Sequence, residues 1–448
     1  MNEKVLKVTT ISSLDQAHDL FKSHFEIPPK VMESAGRIIS DVIKDGEKAA
    51  LDYCNKFDNT SFKNIEDAIL TSQEIEEGYK FIKDNKPELV KAIDKSYDNI
   101  LRFHEEQLKH EASTWYFEPE PGKKLGQITS PVERVCVYVP GGLYAYPSSV
   151  LMTVIPAQVA GVKEIAVCTP SRGEGKINDI LLYIFRYLNI SEIYKISGAQ
   201  AVALMAYGGR HVKKVSKIVG PGNIYVTAAK KLVFGKVGID SLAGPSEVVI
   251  IADRNADPVF AAADLLSQAE HDPDAKSILI TDSSELAENT IINIFKQIDR
   301  LKTEHGERFN RDLVLKSIND NCKIILCRDI KMACAISDII APEHLEIMTD
   351  NPFKTLELVK NGGSIFIGNH TPVAVGDYIG GTNHVIPTSG TAVFSSPLGV
   401  YDFFKKSAVT YYDYNALEKE HTLIEDFAFT ENLLAHRNSV KLRIREKQ

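Results

Sequence analysis

Apolar residues recur at helical spacing through the first quarter of the chain. The stretch VMESAGRIISDVIKDGEKAALDYCNKF, which starts at residue 31, places them three and four positions apart, and a more polar stretch of the same kind follows it. Such spacing is typical of a helix that buries one face. We predict helices over residues 30–115, and we expect the helical segment 30–125 to pack on the second of the two sheets predicted next.

The pattern changes at Pro131, where short runs of β-branched residues begin. Helical stretches rich in Ala and Leu separate successive runs. This alternation predicts βαβ units and parallel sheets. The runs form two series: RVCVYV (134–139), EIAVCT (164–169), EIYKI (192–196) and SKIVG (216–220), then EVVIIAD (247–253), SILITD (277–282), KIILC (323–327) and GSIFIG (363–368).

The predicted fold class is therefore α/β. Two α/β domains carry parallel sheets that are Rossmann-like but incomplete, and small helical segments lie at both termini. A length of 448 residues is more than one core normally holds. We expect an N-terminal segment (1–29), a discontinuous first α/β domain (30–130 and 245–391), a second α/β domain (131–244) and a helical C-terminal tail (392–448).

Composition excludes several classes of function. With 52 basic and 60 acidic residues the formal charge is −8, which argues against a nucleic-acid partner. No run of 18 apolar residues predicts a membrane span, and the N-terminus lacks the apolar core of a signal peptide. The six cysteines are scattered without a CxxC pair, as in a cytosolic protein with reduced thiols. We expect a cytoplasmic protein.

Two segments carry residues that suit metal or dinucleotide binding. In ADLLSQAEHD (263–272), Gln268 and His271 are three apart and would share one face of a helix; the alternative is a polar helix end. The loop GPGNIY (220–225) follows a predicted strand but lacks the third glycine of the GxGxxG fingerprint. Any dinucleotide must therefore bind through a different set of loops.

Three further histidines are candidates for chemistry. Glu343 and His344 are adjacent in APEHLEI, which suits general acid–base work, although such pairs are also common on surfaces. Asp377 and His384 lie in the Gly-rich stretch GDYIGGTNHVIPT, which is more typical of a site loop than of a structural turn. His436, near the C-terminus, is by default a solvated helix residue.

Taken in order, these segments resemble the histidinol dehydrogenase family. The resemblance extends from the N-terminal helices to the last dozen residues, and the combination is specific although each piece alone is weak. Its motifs are GPGNIYVTAAKKLVFGKVGIDSLAGPSEVVIIAD, DLLSQAEHDPDA, APEHLEI, GDYIGGTNHVIPT and LLAHRNSVKLRI. The resemblance implies two-step, NAD-dependent oxidation of L-histidinol through its aldehyde to L-histidine, in the last steps of histidine biosynthesis.

The resemblance also implies roles for individual residues. The zinc ligands, with one zinc in each subunit, would be Gln268, His271, Asp377 and His436. The catalytic pair would be Glu343 and His344. The substrate would be held by Ser246, His384 and Glu431 together with His344 and the four zinc ligands. The NAD contacts would be Tyr138, Gln200 and Asn223, in the domain 131–244. His436 would reach the site of a neighbouring subunit, which implies a homodimer with exchanged tails.

Residue types suggest how the work is divided. His344 would remove the hydroxyl proton, Glu343 would activate the water that hydrates the aldehyde, and zinc would hold the substrate. One alternative is a related zinc- and NAD-dependent dehydrogenase acting on another amino or sulfonated alcohol. Another is a non-catalytic metal-binding or scaffold protein. The presence of Glu343, His344 and His384 together argues against that last class.

Overall fold

The computed structural model describes residues 6–21, 26–111, 113–141, 145–171 and 175–444. We number its elements in chain order. The strands are β1 (Val8–Thr10), β2 (Trp115–Phe117), β3 (Lys123–Pro131), β4 (Arg134–Tyr138), β5 (Glu164–Cys168), β6 (Glu192–Tyr194), β7 (Lys217–Val219), β8 (Gly238–Ile239), β9 (Glu247–Ala252), β10 (Lys276–Thr281), β11 (Cys322–Leu326), β12 (His344–Met348), β13 (Ser364–Ile367) and β14 (Phe404–Tyr412).

The helices account for the other regular segments. They are α1 (Leu14–Leu20), α2 (Pro29–Asp45), α3 (Glu47–Phe57), α4 (Ser72–Asn85), α5 (Pro87–Glu111), α6 (Pro147–Val159), α7 (Asp179–Tyr187), α8 (Gly198–Tyr207), α9 (Ile224–Val233), α10 (Pro258–Ala269), α11 (Ser284–His305), α12 (Arg311–Asn321), α13 (Ile330–Ile340), α14 (Pro352–Leu356), α15 (Val373–Tyr378), α16 (Tyr414–Thr430) and α17 (Leu434–Lys441). None of them, in the described ranges, has the length and apolar character needed to cross a membrane.

Two parallel sheets form the centre of the molecule, as predicted. The five-stranded sheet has the order β6-β5-β4-β7-β8, and the six-stranded sheet has the order β1-β11-β10-β9-β12-β13. If the strands of each βαβ series are counted from its own first strand, both orders read 3-2-1-4-5, and β1 extends the second sheet. This is the order of the first five strands of a Rossmann sheet. The α/β prediction with incomplete Rossmann-like sheets is confirmed.

Helices cover both faces of both sheets. The apolar cores on either side of the five-stranded sheet include Cys136 on one face and Val137 on the other. Successive side chains of the six-stranded sheet also point to opposite faces, so Ile250 packs in one core and Ile251 in the other. Parallel strands buried on two faces need near-continuous apolar sequence, which explains why their runs were easy to recognise.

The N-terminal helices pack on the five-stranded sheet, so our expectation for segment 30–125 was wrong. Helices α2 and α3 contact α8 and α9, α4 contacts α7, and α5 contacts α6. Gly78 of α4 lies so close to Leu182 of α7 that a Cβ at that position would stand 2.5 Å from the leucine side chain. The apolar pattern shows that each helix has a buried face, but it carries no information on which sheet that face covers.

The structure has a third sheet that we did not predict, because we expected helices both before Pro131 and in the C-terminal tail. Strand β3 pairs antiparallel with β2 and with β14, so residues after 114 and the start of the C-terminal tail are extended rather than helical. The strand FKKSAVTYY has a largely solvent-exposed pattern, which lacks the apolar face expected of a packed strand. Helices of the tail begin only at Tyr414.

Candidate active site

A cavity of about 460 Å³ lies between the two large sheets. From the five-stranded sheet it takes residues that follow β4 and β7; from the six-stranded sheet it takes residues that precede β9 and start β12. The cavity thus joins the carboxyl edge of one sheet to the amino edge of the other. The candidate residues among its lining are Asn223, Ser246, Gln268, His271, Glu343, His344, Asp377 and His384.

His344 is the first residue of β12, a central strand that the sequence analysis did not predict. Its Nδ1 lies 3.1 Å from the carbonyl oxygen of Glu247, so Nδ1 carries the proton and donates it to this acceptor. Nε2 is then left with its lone pair. Burial lowers the pKa of His344 to about 4, which keeps the ring neutral near physiological pH. A neutral imidazole of fixed tautomer is ready to accept a proton.

Glu343 lies beside this imidazole, immediately before the strand. Its Oε2 is 3.6 Å from His344 Nδ1 and accepts a hydrogen bond of 2.8 Å from the backbone N–H of Glu247. Burial raises the pKa of the Glu343 carboxyl well above its usual range, although the Glu247 N–H opposes that rise. The group is therefore a stronger base, once ionised, than a solvated carboxylate.

Gln268 and His271 come to the cavity from the end of α10. The helix ends at Ala269, so His271 lies in the turn beyond it. Our prediction that Gln268 and His271 share one helix face is therefore wrong. The turn is closed by a 3.3 Å bond from the His271 N–H to the Gln268 carbonyl. The Gln268 amide is 2% exposed, and its Nε2 has no hydrogen-bond partner.

Asp377 and His384 occupy the opposite wall. Asp377 belongs to the short helix α15, and its backbone carbonyl accepts a 3.2 Å bond from His384 Nδ1. The Ser149 hydroxyl lies 3.4 Å from the other ring nitrogen, Nε2. Burial raises the pKa of Asp377 to about 6 and lowers that of His384 to about 4. Both groups are thus held in a poorly solvated wall.

One chain supplies part of the predicted zinc site. Among the described residues, no three His, Cys, Asp or Glu side chains come together as a metal site. His271 and Asp377 line one cavity with Gln268, whose unpartnered buried amide can present its oxygen by a flip. One imidazole nitrogen and two oxygens are ligand types that zinc accepts. One chain therefore offers three of the four predicted ligands, and the donor set fits.

Glu431 and His436 are not brought to the cavity by their own chain. Glu431 caps the end of α16, His436 lies on α17, and both side chains are exposed. Neither lines the cavity that holds the other predicted ligands. Their position agrees with a role outside their own site.

The crevice between β4 and β7 is where a Rossmann-type sheet binds its nucleotide. Gly220, after β7, has φ +109° and approaches β4 so closely that a Cβ would stand 2.2 Å from the Tyr138 carbonyl oxygen. Asn223 then caps α9, accepting bonds of 3.0 and 3.1 Å from the N–H groups of Tyr225 and Val226. Asn223 lines both this crevice and a neighbouring cavity of about 260 Å³.

The neighbouring cavity holds Tyr138 and two hydroxyls that the sequence analysis missed. Thr169 Oγ1 and Ser171 Oγ are buried just after β5, and neither has a hydrogen-bond partner among the described residues. A threonine or serine in a loop gives no sequence signal of its own. Gln200, by contrast, is 1% exposed on α8, lies 4.0 Å from Cys54 Sγ and lines neither cavity.

These features define a class of protein. Two Rossmann-like sheets, a nucleotide-type crevice on one of them and a buried acid–imidazole pair facing it are the equipment of a dinucleotide-dependent oxidoreductase. The comparisons with known proteins make this class specific.

A sequence model of the family described as histidinol dehydrogenase matches residues 23–444. Histidinol dehydrogenase of Clostridium acetobutylicum is 41% identical over 447 residues, which covers 99% of this chain and 100% of the relative. That of Geobacter sulfurreducens is 44% identical over 408 residues, covering 91% and 92%. The crystal structure of histidinol dehydrogenase from Elizabethkingia anophelis superposes with a TM-score of 0.89 at 32% identity, with 99% of each chain covered. The chain belongs to the histidinol dehydrogenase family.

Proposed function

We propose that the protein oxidises L-histidinol through L-histidinaldehyde to L-histidine, using two molecules of NAD. The observation that carries this proposal is the buried His344–Glu343 pair, which faces the nucleotide-type crevice across one cavity. Family membership supports the substrate and the cofactor. NAD accepts one hydride in each oxidation, and the segment 131–244 binds it at Tyr138 and Asn223, whereas the buried Gln200, which lines neither cavity, has no observation that supports its predicted contact.

The metal of the proposed site is zinc, held by Gln268, His271 and Asp377 of one subunit and His436 of another. A bound zinc supplies a Lewis-acid anchor for the imidazole and amino nitrogens of the substrate. Ser246, His384 and Glu431 complete the substrate contacts. The histidine ring nitrogens and the two oxygen ligands suit this divalent ion.

In the first oxidation His344 acts as the base. The lone pair on Nε2 takes the hydroxyl proton, the carbinol carbon loses its hydride, and a C=O bond forms. The Nδ1–H bond to the Glu247 carbonyl holds the ring so that the positive charge formed on it is stabilised. The burial that keeps His344 neutral before the reaction makes this step available at neutral and alkaline pH.

The second oxidation needs a water molecule. Glu343, as a carboxylate, takes a proton from water as the water oxygen adds to the aldehyde carbon. The protonated His344 returns its proton to the aldehyde oxygen, which gives a gem-diol and a neutral imidazole. The diol then loses a proton to His344 and a hydride from carbon, and a carboxylic acid is formed. The 3.6 Å distance between Glu343 Oε2 and His344 Nδ1 supports assigning both proton acceptors to one carbon atom of the substrate.

The assembly that completes the site is a homodimer with exchanged tails. Glu431 and His436 lie outside their own chain's cavity, and Phe427 and Phe429 of the same tail are 75% and 59% exposed. Large exposed aromatic side chains mark surfaces that become covered in an assembly. A second copy of this chain supplies such a cover and, by two-fold symmetry, receives the same tail in return.

The direct test is NADH formation followed by absorbance at alkaline pH, with zinc-loaded protein and L-histidinol. We expect turnover with L-histidinol and none with a sulfonated alcohol lacking the imidazole. No NADH from L-histidinol, or a faster reaction with the sulfonated alcohol, would refute the proposal. Metal-free protein is the matched control and should be inactive until zinc is restored.

A further inference from the structure

On elements that carry active-site residues, a buried acidic side chain, Glu346, interacts with a half-buried one, Asp264. Asp264 on α10 and Glu346 on β12 hydrogen-bond through their carboxyl groups, and Glu346 is 1% exposed. Neither residue lines the catalytic cavity. The proposed mechanism uses neither of them, so their burial as a pair needs its own explanation.

The hydrogen bonds around Glu346 require a proton between the two carboxyls. Its Oε1 accepts a 3.0 Å bond from the N–H of Val373, whereas its Oε2 is buried and no N–H or hydroxyl donor of the described residues reaches it. The acid proton of one carboxyl is the donor that remains. Burial raises the pKa of Asp264 to about 6 and that of Glu346 well above its usual range, as expected when two such groups share a proton.

The pair joins the three elements that bring the site residues together. Asp264 precedes Gln268 by one turn of α10. Glu346 lies two residues after His344 on β12, and therefore on the same face of the sheet. Val373, the residue bonded to Glu346, opens α15, which carries Asp377 one turn later. Each contact of the pair is thus one turn or one pleat from a site residue.

We propose that the Asp264–Glu346 pair positions the active site, because its two hydrogen bonds hold α10 and α15 in place against β12 and so align Gln268 and Asp377 with His344. This inference rests on the proposed function and deepens it. An apolar pair of the same size can pack well, but it makes no directional hydrogen bonds.

Two pairs of substitutions separate positioning from packing. Glu346→Leu removes both hydrogen bonds, whereas Glu346→Gln keeps an oxygen for the Val373 N–H and an N–H₂ for Asp264. Asp264→Ala and Asp264→Asn form the second pair, which decides the question if Glu346→Leu does not fold. Ile336→Ala is the control for stability alone, since this buried α13 residue packs on the opposite face of the sheet.

The measurements are the zinc dissociation constant, obtained by chelator competition with the folded metal-free protein, and the thermal midpoint. We expect Glu346→Leu and Asp264→Ala to weaken zinc binding by about 10- to 100-fold, as loss of a supporting contact does. We expect Glu346→Gln, Asp264→Asn and Ile336→Ala to stay within about threefold of wild type.

Unchanged zinc affinity in both Glu346→Leu and Asp264→Ala would overturn the inference, and the pair would then serve packing alone. Equal weakening by Ile336→Ala would also overturn it, because stability would then explain the effect. Wild-type protein that binds no zinc would instead refute the proposed function. The two failures are therefore distinguishable.

Discussion

The two parallel sheets share one strand order but use opposite edges. The five-stranded sheet opens its crevice at the carboxyl ends of β4 and β7, where nucleotide-binding sheets have it. The six-stranded sheet contributes to the cavity from its amino edge, through Ser246 and His344. Strand order alone predicts that both sheets contribute to the site from the same edge. The difference teaches that side chains at each edge, and not strand order, select the surface that is used.

The carboxyl edge of the six-stranded sheet is acidic. Four strands in succession, β9 to β12, are followed within a few residues by a carboxylate: Asp253, Asp282, Asp329 and Asp350. Burial and the neighbouring charges of Asp253 and Asp329 raise the pKa of Asp282. Arg254 and Arg328 offset part of this charge, and the net charge that remains is negative, which disfavours a pyrophosphate. The corresponding edge of the other sheet offers the hydroxyls of Thr169 and Ser171 and the helix start at Asn223.

Removing the imidazole at the amino edge should have the largest effect. We expect His344→Asn to slow both oxidations by about 100- to 10,000-fold, because each needs a proton removed from oxygen. NAD binding, on the other sheet, should stay near wild type. Stopped-flow rates with histidinol and with histidinal, beside NAD titration, measure this. His110→Asn, at an exposed site on α5, is the control; a His344→Asn enzyme with normal rates would remove His344 as the base.

The Glu343→Gln variant separates the role of Glu343 from that of His344, its neighbour at the amino edge. Because we propose that Glu343 activates the water, we expect oxidation of histidinal to fall by about 100-fold, with a much smaller loss for histidinol. The two half-reactions are assayed separately, each with one substrate and excess NAD. Equal losses in both would show that Glu343 has no separate role in the hydration.

The proposed exchange of C-terminal tails brings a second chain into the comparison. Asp377→Ala and His436→Ala chains should each be inactive. In a co-expressed mixture, half the dimers are heterodimers in which one site carries both lesions and the other carries neither. About a quarter of wild-type activity should then return. Activity of the purified mixture measures it, and recovery no higher than that of the single variants would place His436 in its own chain's site.

The smallest effect is expected on the carboxyl edge of the five-stranded sheet. Asn223→Ala removes the cap of α9, which should lower the free energy of unfolding by about 1 kcal/mol. The KM for NAD should rise a few-fold, with zinc affinity unchanged. Denaturant unfolding and initial rates measure both quantities. Asn310→Ala, which removes the cap of α12 on the other sheet, is the matched control for stability; an equal rise in KM there would argue against a cofactor contact at Asn223.

Most of the parallel strands could be predicted from sequence because both of their faces are buried. The exceptions are the short edge strands β1 and β8 and the central strand β12, where Glu346 interrupts the run HLEIM. A charged residue argues against a fully buried strand, and the groups that interact with Glu346, the Val373 N–H and Asp264, lie on other elements. Local pattern reasoning cannot supply a partner on another element. The same limit hid β14, whose pairing with β3 spans most of the chain.

The candidate site, like the fold, could be predicted from the sequence only in part. Resemblance named Gln268, His271, Glu343, His344, Asp377 and His384, and the structure brings all six to one cavity. Spacing alone gave the wrong geometry for Gln268 and His271, because the helix ends between them. Thr169 and Ser171 could not be singled out, since hydroxyl residues acquire meaning only when the fold buries them without a partner.

The most direct test of the central claim is the stoichiometry of a complete reaction. Zinc-loaded protein is given limiting L-histidinol and excess NAD, and NADH and L-histidine are both quantified at the end point. Two oxidations at one site predict two NADH for each histidine formed, with no aldehyde left. One NADH for each histidinol consumed, with aldehyde as the product, would contradict the account.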